Sequence, residues 1–324
     1  MKLKQYRVKA GLTQTDLAKA VGVSQPNYQR WESGAASIPE DKLNKLSSIL
    51  QVDPNTIMGR HPPIEARLYD TSADENLNYY GEVAIHFRNG GKPLLISISD
   101  GAFKCLHTSL QYNPAFVAVE SLSNQTVIIR TKAIADLYFS GEACDDYGPE
   151  HESYEKPIAL QLPDPRDWEI VEALKCDDEE TLGEFAPEDV KRISEHIMIT
   201  DEQYEQLIID GLIKPEDLEA EKAKNSEETD EIFNLATQVK YQLSTGQQRS
   251  THISSARDLY EAFDLFTDID TASEIEDDLI RLPIEDPYRI AFINPKALDY
   301  VVFPTHLFQQ GQIEVDADFL DDLG

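Results

Sequence analysis

The sequence predicts an α+β multidomain fold, in which a five-helix N-terminal domain precedes small β-barrel-like units joined by acidic helices. Apolar residues recur at helical spacing over residues 1–59, and at alternate positions over residues 81–140 and 237–312. Acidic residues are concentrated between the two alternating stretches, in residues 141–236. The 324 residues suggest two or three domains, since one domain has roughly 100–200 residues.

Start and stop signals divide the first 59 residues into short helices. Thr13 and Ser24 are suited to cap the N-termini of two helices, and Gly11, Gly22 and Gly34 are suited to end three. Pro26 is tolerated because it lies in the first turn of its helix. The first three predicted helices span residues 2–9, 14–21 and 25–33. A capping box at residues 37–40 opens the fourth, which includes residues 43–50, and the short fifth starts at residues 53–54 and ends at Gly59.

A sharp turn at residues 22–24 separates the second and third helices, which is typical of a helix-turn-helix domain. The segment resembles the Xre/Cro family, the lambda- and 434-repressor-like DNA-binding domains. The resemblance covers about the first 59 residues, under a fifth of the chain, and implies that this domain binds double-stranded DNA. It rests on Leu3, Arg7, residues 11–14, Leu17, Ala18, residues 22–24, Trp31, Glu32, Gly34, Pro39, Leu43, Leu46 and Val52.

The third helix has one face for the core and one for a partner. Tyr28 and Trp31 are three residues apart, so they share a face and should pack against the first two helices. The opposite face is polar, and glutamine and arginine side chains there can pair with adenine and guanine in the major groove. Helix geometry and the resemblance both favour Gln25 and Arg30. Geometry alone favours Gln29, and the resemblance favours Asn27. The candidates for base contact are therefore Gln25, Asn27, Gln29 and Arg30.

Four further residues are candidates for contact with DNA phosphates. The resemblance implies that Gln14 and Ser33 bind phosphate through side chains and the helix N-terminus. Lys19 and Arg7 would add positive charge, although an ordinary solvated side chain is the alternative for each.

The net charge of −31 is unevenly distributed along the chain. Residues 1–60 hold nine Lys/Arg and five Asp/Glu and carry +4, whereas residues 61–324 hold 20 and 55 and carry −35. The basic surface that phosphate contact requires is therefore confined to the N-terminal domain. The acidic remainder is either a solvated surface that favours solubility or a docking surface for a basic partner.

Residues 60–80 contain Pro62-Pro63 and no helical period, so they are predicted to form a linker. Because the acidic remainder should repel DNA, we expect the N-terminal domain to project from it on this linker. Residues 313–324 form an acidic tail that is either disordered or a docking peptide.

Five short strands are predicted between residues 82 and 139, with turns near residues 90, 100 and 124. They suggest a small β-barrel or a strongly bent sheet. Residues 126–139 weakly resemble the second motif of Sm-like barrels, with Thr131 in place of the usual glycine.

The two stretches with alternating apolar residues are possible copies of one internal repeat. Residues 238–254 follow the rhythm of 82–99, and residues 288–308 follow that of 116–134, with room for one extra helix at 256–266. Chance similarity between alternating strands is the alternative. Between the two units, helices are predicted near residues 165–175, 187–197, 201–211, 215–223 and 227–238.

The sequence shows no feature typical of an enzyme, a metalloprotein or a membrane protein. It contains no HExxH motif, P-loop or GxGxxG motif, its seven histidines are scattered, and no cofactor or metal site is predicted. The three cysteines form no CxxC pair, and no apolar run is long enough for a transmembrane helix. A cytoplasmic, nucleoid-associated setting is expected.

We therefore expect a DNA-binding transcriptional regulator, a repressor that acts as a homodimer or higher oligomer on an inverted-repeat operator. The C-terminal region would serve oligomerisation or sensing. The alternative is an antitoxin-like or DNA-mimic protein that binds DNA and whose acidic body sequesters a basic protein partner. RNA binding by Sm-like rings is disfavoured by the −35 charge.

Overall fold

The computed structural model describes residues 2–70, 72–90, 93–144, 146–149, 161–267, 278–284 and 289–323. Residues 2–59 are called the head, and the described residues from 60 onward are called the body. The head consists of α1 (Leu3–Lys9), α2 (Gln14–Val21), α3 (Gln25–Glu32), α4 (Glu40–Leu50) and α5 (Pro54–Ile57). Its hydrophobic core is made of head residues alone, among them Leu3, Leu17, Val21, Tyr28, Trp31, Leu46 and Ile57.

The described strands of the body form three antiparallel sheets. The first has the order β2 (Leu94–Ser99), β1 (Tyr79–Phe87) and β5 (Ile134–Gly141). The second has the order β3 (Phe116–Glu120), β4 (Gln125–Arg130), β10 (Leu298–Pro304), β6 (Gln238–Leu243) and β7 (Gln248–His252). The third pairs β8 (Ile280–Ile284) with β9 (Arg289–Ile293).

The β-barrel-like units expected from the sequence do not occur among the described strands, since none of these sheets closes on itself. One cause is a helix, α6 (Asp100–Tyr112), which follows β2 directly where a turn was expected. The Ser99 hydroxyl accepts a hydrogen bond from the Ala102 amide at 3.1 Å and so caps this helix. Strand β3 then pairs with β4, and β4 pairs with β10, so neither strand returns to β1.

The same order of elements occurs twice in the body. The order β1-β2-α6-β3-β4-β5 is repeated as β6-β7-α12-β8-β9-β10, where α12 spans Ala256–Thr267. The helix expected as an extra element at 256–266 is therefore the counterpart of α6. Residues 289–308 contain β9 and β10, which correspond in order to β4 and β5, whereas residues 116–134 contain β3 and β4.

The acidic region between the two units contains five α-helices in its described part from residue 161 onward: α7 (Pro165–Cys176), α8 (Glu179–Leu182), α9 (Pro187–Ile197), α10 (Asp201–Ile209) and α11 (Leu218–Thr237). Helix α11 is one helix of 20 residues where two were expected. Residues 218–237 contain neither glycine nor proline, so nothing in that sequence interrupts the helix.

The head does not project from the body, contrary to the expectation from the linker. The Arg166 side chain, which is 1% exposed, donates hydrogen bonds of 2.8 Å to the carbonyl oxygens of Gly59 and His61. The Asp164 carboxylate accepts from the Ile64 amide at 3.2 Å. The start of α7 therefore holds the residues on both sides of Pro62-Pro63.

Residues 313–323 are not a disordered tail, because they belong to a helix of 19 residues, α13 (Thr305–Leu323). The helix begins in the body, where the Thr305 and Thr126 hydroxyls lie 2.9 Å apart. It then packs closely along α12, since a Cβ atom added at Gly311 would lie 2.1 Å from the Ala256 carbonyl oxygen. Its C-terminal end reaches the head.

Candidate nucleic-acid interface

The turn between α2 and α3 is built by local interactions. The Thr13 hydroxyl accepts a hydrogen bond from the Asp16 amide at 3.0 Å and caps α2. Gly22 ends α2 in the left-handed conformation, with φ of 78°, and its amide donates to the Ala18 carbonyl at 3.0 Å. A residue with a Cβ atom is strained in this conformation, which explains the glycine. Ser24 then takes an extended backbone and α3 begins, but the Ser24 side chain accepts no capping hydrogen bond, contrary to the expectation from the sequence.

The inner face of α3 anchors the helix in the head. Tyr28 is fully buried and Trp31 is 6% exposed. Their rings meet edge to face, with centroids 6.4 Å apart and an interplanar angle of 69°. Trp31 therefore belongs to the core, as its position on the helix predicts, and cannot stack on a base.

The outer face of α3 is polar and largely open to solvent. Asn27, Gln29 and Arg30 are exposed, and so is Pro26 between the polar residues. Gln25 is half-buried, and its side-chain amide donates to Oε1 of Gln14 at 2.8 Å. All four candidates for base contact therefore lie on the same short helix, with Gln25 held by a residue of α2.

A buried polar network lies beneath this face and centres on Glu32. Its Oε1 accepts from the Tyr28 hydroxyl at 2.8 Å and from Arg7 Nε at 2.6 Å. Its Oε2 accepts from the Gln14 side-chain amide at 2.9 Å. Gln14 thus bridges Glu32 and Gln25, which connects a candidate phosphate contact to a candidate base contact.

Sequence reasoning missed this role of Glu32, although Arg7 and Glu32 both carry the family resemblance. The Glu32 side chain is 4% exposed and Arg7 has no exposed side-chain surface. Burial alone would lower the pKa of Arg7, but the hydrogen bond and charge of Glu32, together with Asp321, raise it above its ordinary value. Burial and then the charge of Glu32 raise the pKa of Tyr28. Both groups therefore remain protonated donors to Glu32 at neutral pH.

The four candidates for phosphate contact occupy different environments. Lys19 is exposed at the end of α2, and Ser33 is exposed just after α3. Gln14 presents its backbone amide at the N-terminus of α2, and this amide donates to Oδ1 of Asp321 at 2.8 Å. The guanidinium of Arg7 also faces Asp321, with Nη1 and Nη2 each 3.2 Å from a carboxylate oxygen. A phosphate would therefore reach Gln14 or Arg7 only by displacing Asp321.

The described part of the chain contains no cluster of three or more His, Cys, Asp or Glu side chains that could hold a metal ion. Its three cysteines, Cys105, Cys144 and Cys176, are unpaired and exposed. None of the described helices is both long enough and apolar enough to span a bilayer.

Comparison with known proteins identifies the head alone. Residues 3–57 match the helix-turn-helix family. No curated protein and no solved structure matches the chain. The resemblance of residues 126–139 to Sm-like barrels therefore has no support from these comparisons. The match supports a helix-turn-helix domain of the Xre/lambda-repressor type at the N-terminus and, in general, a DNA-binding regulator.

Proposed function

We propose that the protein is a sequence-specific transcriptional repressor that binds an inverted-repeat operator as a homodimer. The observation that carries the proposal is the exposed polar face of α3, which lies over a rigid aromatic anchor within a helix-turn-helix domain. Recognition helices of this kind read base edges in the major groove. The proposal assigns base contact to Gln25, Asn27, Gln29 and Arg30.

Phosphate contact is assigned to Gln14, Ser33, Lys19 and Arg7. Lys19 and Ser33 are exposed at the ends of α2 and α3, so they can contact the DNA backbone directly. The backbone amide of Gln14 lies at a helix N-terminus, where an anion is favoured by the helix dipole. Arg7 adds a positive charge beside the same point, within reach of an anion bound there.

The proposal of a homodimer rests on the small size of the DNA-contacting surface of one head. One head offers a single short helix, and single modules rarely bury enough surface for tight, specific binding. Two heads on half-sites about 34 Å apart double the contacts and require an inverted repeat. The body carries −35, so its proposed role is oligomerisation or sensing and not DNA contact.

Selection of bound sequences from a random duplex library, with the full-length protein, tests this function. The expected outcome is a short motif that occurs as two inverted half-sites about one helical turn apart. Arg30→Ala and the double variant Gln25→Ala/Arg30→Ala should lose the preference for the motif at one or more positions. Lys191→Ala is the matched control, because it removes one positive charge from an exposed position on α9 of the body.

If specific binding survives the double variant, the assignment of base contact to the outer face of α3 is wrong. A monomer in light scattering, together with selected sites that contain one half-site, would overturn the dimer. Failure to select any motif at low salt, both with the wild-type protein and with Asp321→Ala, would overturn sequence-specific binding itself.

The charge of the body favours a second function, in which the protein binds DNA through the head and sequesters a basic protein through the body. Surfaces with a high density of one charge attract partners of opposite charge at high rates. This alternative predicts that the purified full-length protein captures one basic protein in a fixed ratio from its host lysate. Self-association without a captured partner favours the repressor.

A further inference from the structure

The C-terminal turn of α13 covers the N-terminus of α2 in the head. The Asp321 carboxylate receives three hydrogen bonds there, one from the Gln14 amide at 2.8 Å and one from each terminal nitrogen of Arg7 at 3.2 Å. The two carboxylate oxygens of Asp321 thus accept hydrogen bonds from the amide and the guanidinium that, in the proposed function, bind a DNA phosphate. Charge-assisted hydrogen bonds of this type are among the stronger polar contacts in proteins.

We propose that α13 is an autoinhibitory element, in which Asp321 mimics a DNA phosphate and keeps the head from binding DNA until α13 is displaced. This inference rests on the proposed DNA-binding function, because it concerns the same phosphate site. It assigns the acidic end of the chain a role as an internal competitor of DNA.

The body holds α13 so that its last turn is presented to the head. At the start of the helix, the His306 amide donates to Oδ1 of Asn124 at 2.9 Å, within the buried part of the body. Further along, Arg257 on α12 pairs with Asp318 at 2.5 Å. A helix of this length extends roughly 28 Å, so it carries an acidic turn from the sheet of the body to the head.

The sequence of the last turn is poorly suited to a free helix end. Asp321 and Asp322 lie there and no basic residue does. Carboxylates at a helix C-terminus are unfavourable because they face the negative end of the helix dipole. At the head, Asp321 instead meets the positive end of α2 and the charge of Arg7. Contact with the head therefore offsets the unfavourable electrostatic energy of the carboxylates at this helix end. The last turn of α13 should become less ordered when it leaves the head.

The contact between head and body is suited to reversible opening. The hydrophobic core of the head contains head residues only, so the head does not need body residues to complete its core. Polar contacts connect the two parts, including Lys2 with Glu169 on α7. A cavity of about 630 Å³ lies along the seam between α1, α7 and α13. DNA can therefore compete for the head without unfolding it.

Two alanine variants of the full-length protein separate the specific contact from general charge repulsion. Asp321→Ala removes the carboxylate at the head, whereas Asp322→Ala removes an equal charge from the exposed neighbouring position. Binding is measured by fluorescence anisotropy with a labelled duplex of mixed sequence at low salt, because phosphate contact does not depend on the operator. Asp321→Ala should bind on the order of tenfold more tightly, since it removes a charge-assisted competitor. Asp322→Ala should match the wild-type protein within about twofold.

Hydrogen–deuterium exchange gives a second readout that does not depend on DNA. Without DNA, Asp321→Ala should speed exchange in residues 10–20, which include the Gln14 amide, and Asp322→Ala should not. Addition of the mixed-sequence duplex to the wild-type protein should speed exchange in residues 313–323, because DNA displaces the last turn of α13.

Equal affinity of the two variants for the duplex, or slower exchange of residues 313–323 on DNA addition, would overturn autoinhibition while leaving DNA binding intact. Faster exchange at residues 10–20 in Asp321→Ala, with no duplex binding by any form of the protein, would instead overturn the DNA-binding function. Autoinhibition would fail with it.

Discussion

The Nε atom of Arg7 donates to Oε1 of Glu32 at 2.6 Å inside the head, where the two side chains are 0% and 4% exposed. Glu32 also accepts from Tyr28 and Gln14, so its charge is balanced by several donors. The pair connects α1 to the end of α3 and so supports the helix that carries the reading face.

Removal of Arg7 should destabilise the head strongly. Arg7→Ala leaves the Glu32 carboxylate buried without its charged partner, which costs about 3–5 kcal/mol for comparable pairs. Urea unfolding, followed by circular dichroism and tryptophan fluorescence, measures the change. Lys9→Ala removes an exposed charge from the same helix, and should shift the free energy of unfolding by less than about 0.5 kcal/mol. Equal effects of both variants would contradict a structural role for the buried pair.

Lys19 provides a test of phosphate contact that does not require an operator. Lys19→Ala should weaken binding to all duplex sequences alike, and should lower the slope of log affinity against log salt by about 0.9. Anisotropy titrations at several salt concentrations give this slope. The body variant Lys191→Ala should leave it unchanged. A change in sequence preference in Lys19→Ala would argue for base contact instead.

Glu82 should make stability depend on pH. This side chain on β1 is 6% exposed, and burial raises its pKa, although hydrogen bonds from Tyr79 and Ser97 act in the opposite direction. A carboxyl group with a raised pKa binds its proton more tightly in the folded protein. Its contribution to stability is therefore full below the ordinary glutamate pKa and is lost as the pH rises through the raised value.

The difference in unfolding free energy between the wild-type protein and Glu82→Gln should consequently fall as the pH rises from about 4.3 to 7. Urea unfolding at several pH values measures this difference. Glu202→Gln, at an exposed position on α10, should show no comparable trend. A difference that rises with pH would show that the hydrogen bonds outweigh burial.

A residue larger than glycine at position 311 should destabilise the close packing of α13 against α12. The added methyl group of Gly311→Ala would lie 2.1 Å from the Ala256 carbonyl oxygen, so a backbone segment must shift. Such overpacking costs about 1–3 kcal/mol. Gln312→Ala changes the exposed neighbouring residue and should cost less than about 0.5 kcal/mol in the same urea titration. Equal stability of both variants would contradict the close packing.

The sequence by itself determined the elements that depend on near neighbours. Thr13 and Gly22 act within a few residues of chain, so the short helices of the head and the turn between α2 and α3 could be located without a structure. The spacing of Tyr28 and Trp31 likewise predicted the buried face of α3. The assignments of individual residues to bases and phosphates stay predictions.

Only the tertiary structure decided which distant segments meet. Pairing of β4 with β10, and of Asp321 with Gln14 across 307 positions, depends on the shapes and charges of whole surfaces. With 60 acidic residues in the chain, the sequence offers many carboxylates that could face the basic head. The position of Asp321 against Gln14 and Arg7 is set by the packing of α13 along α12, which determines where the last turn of the helix lies.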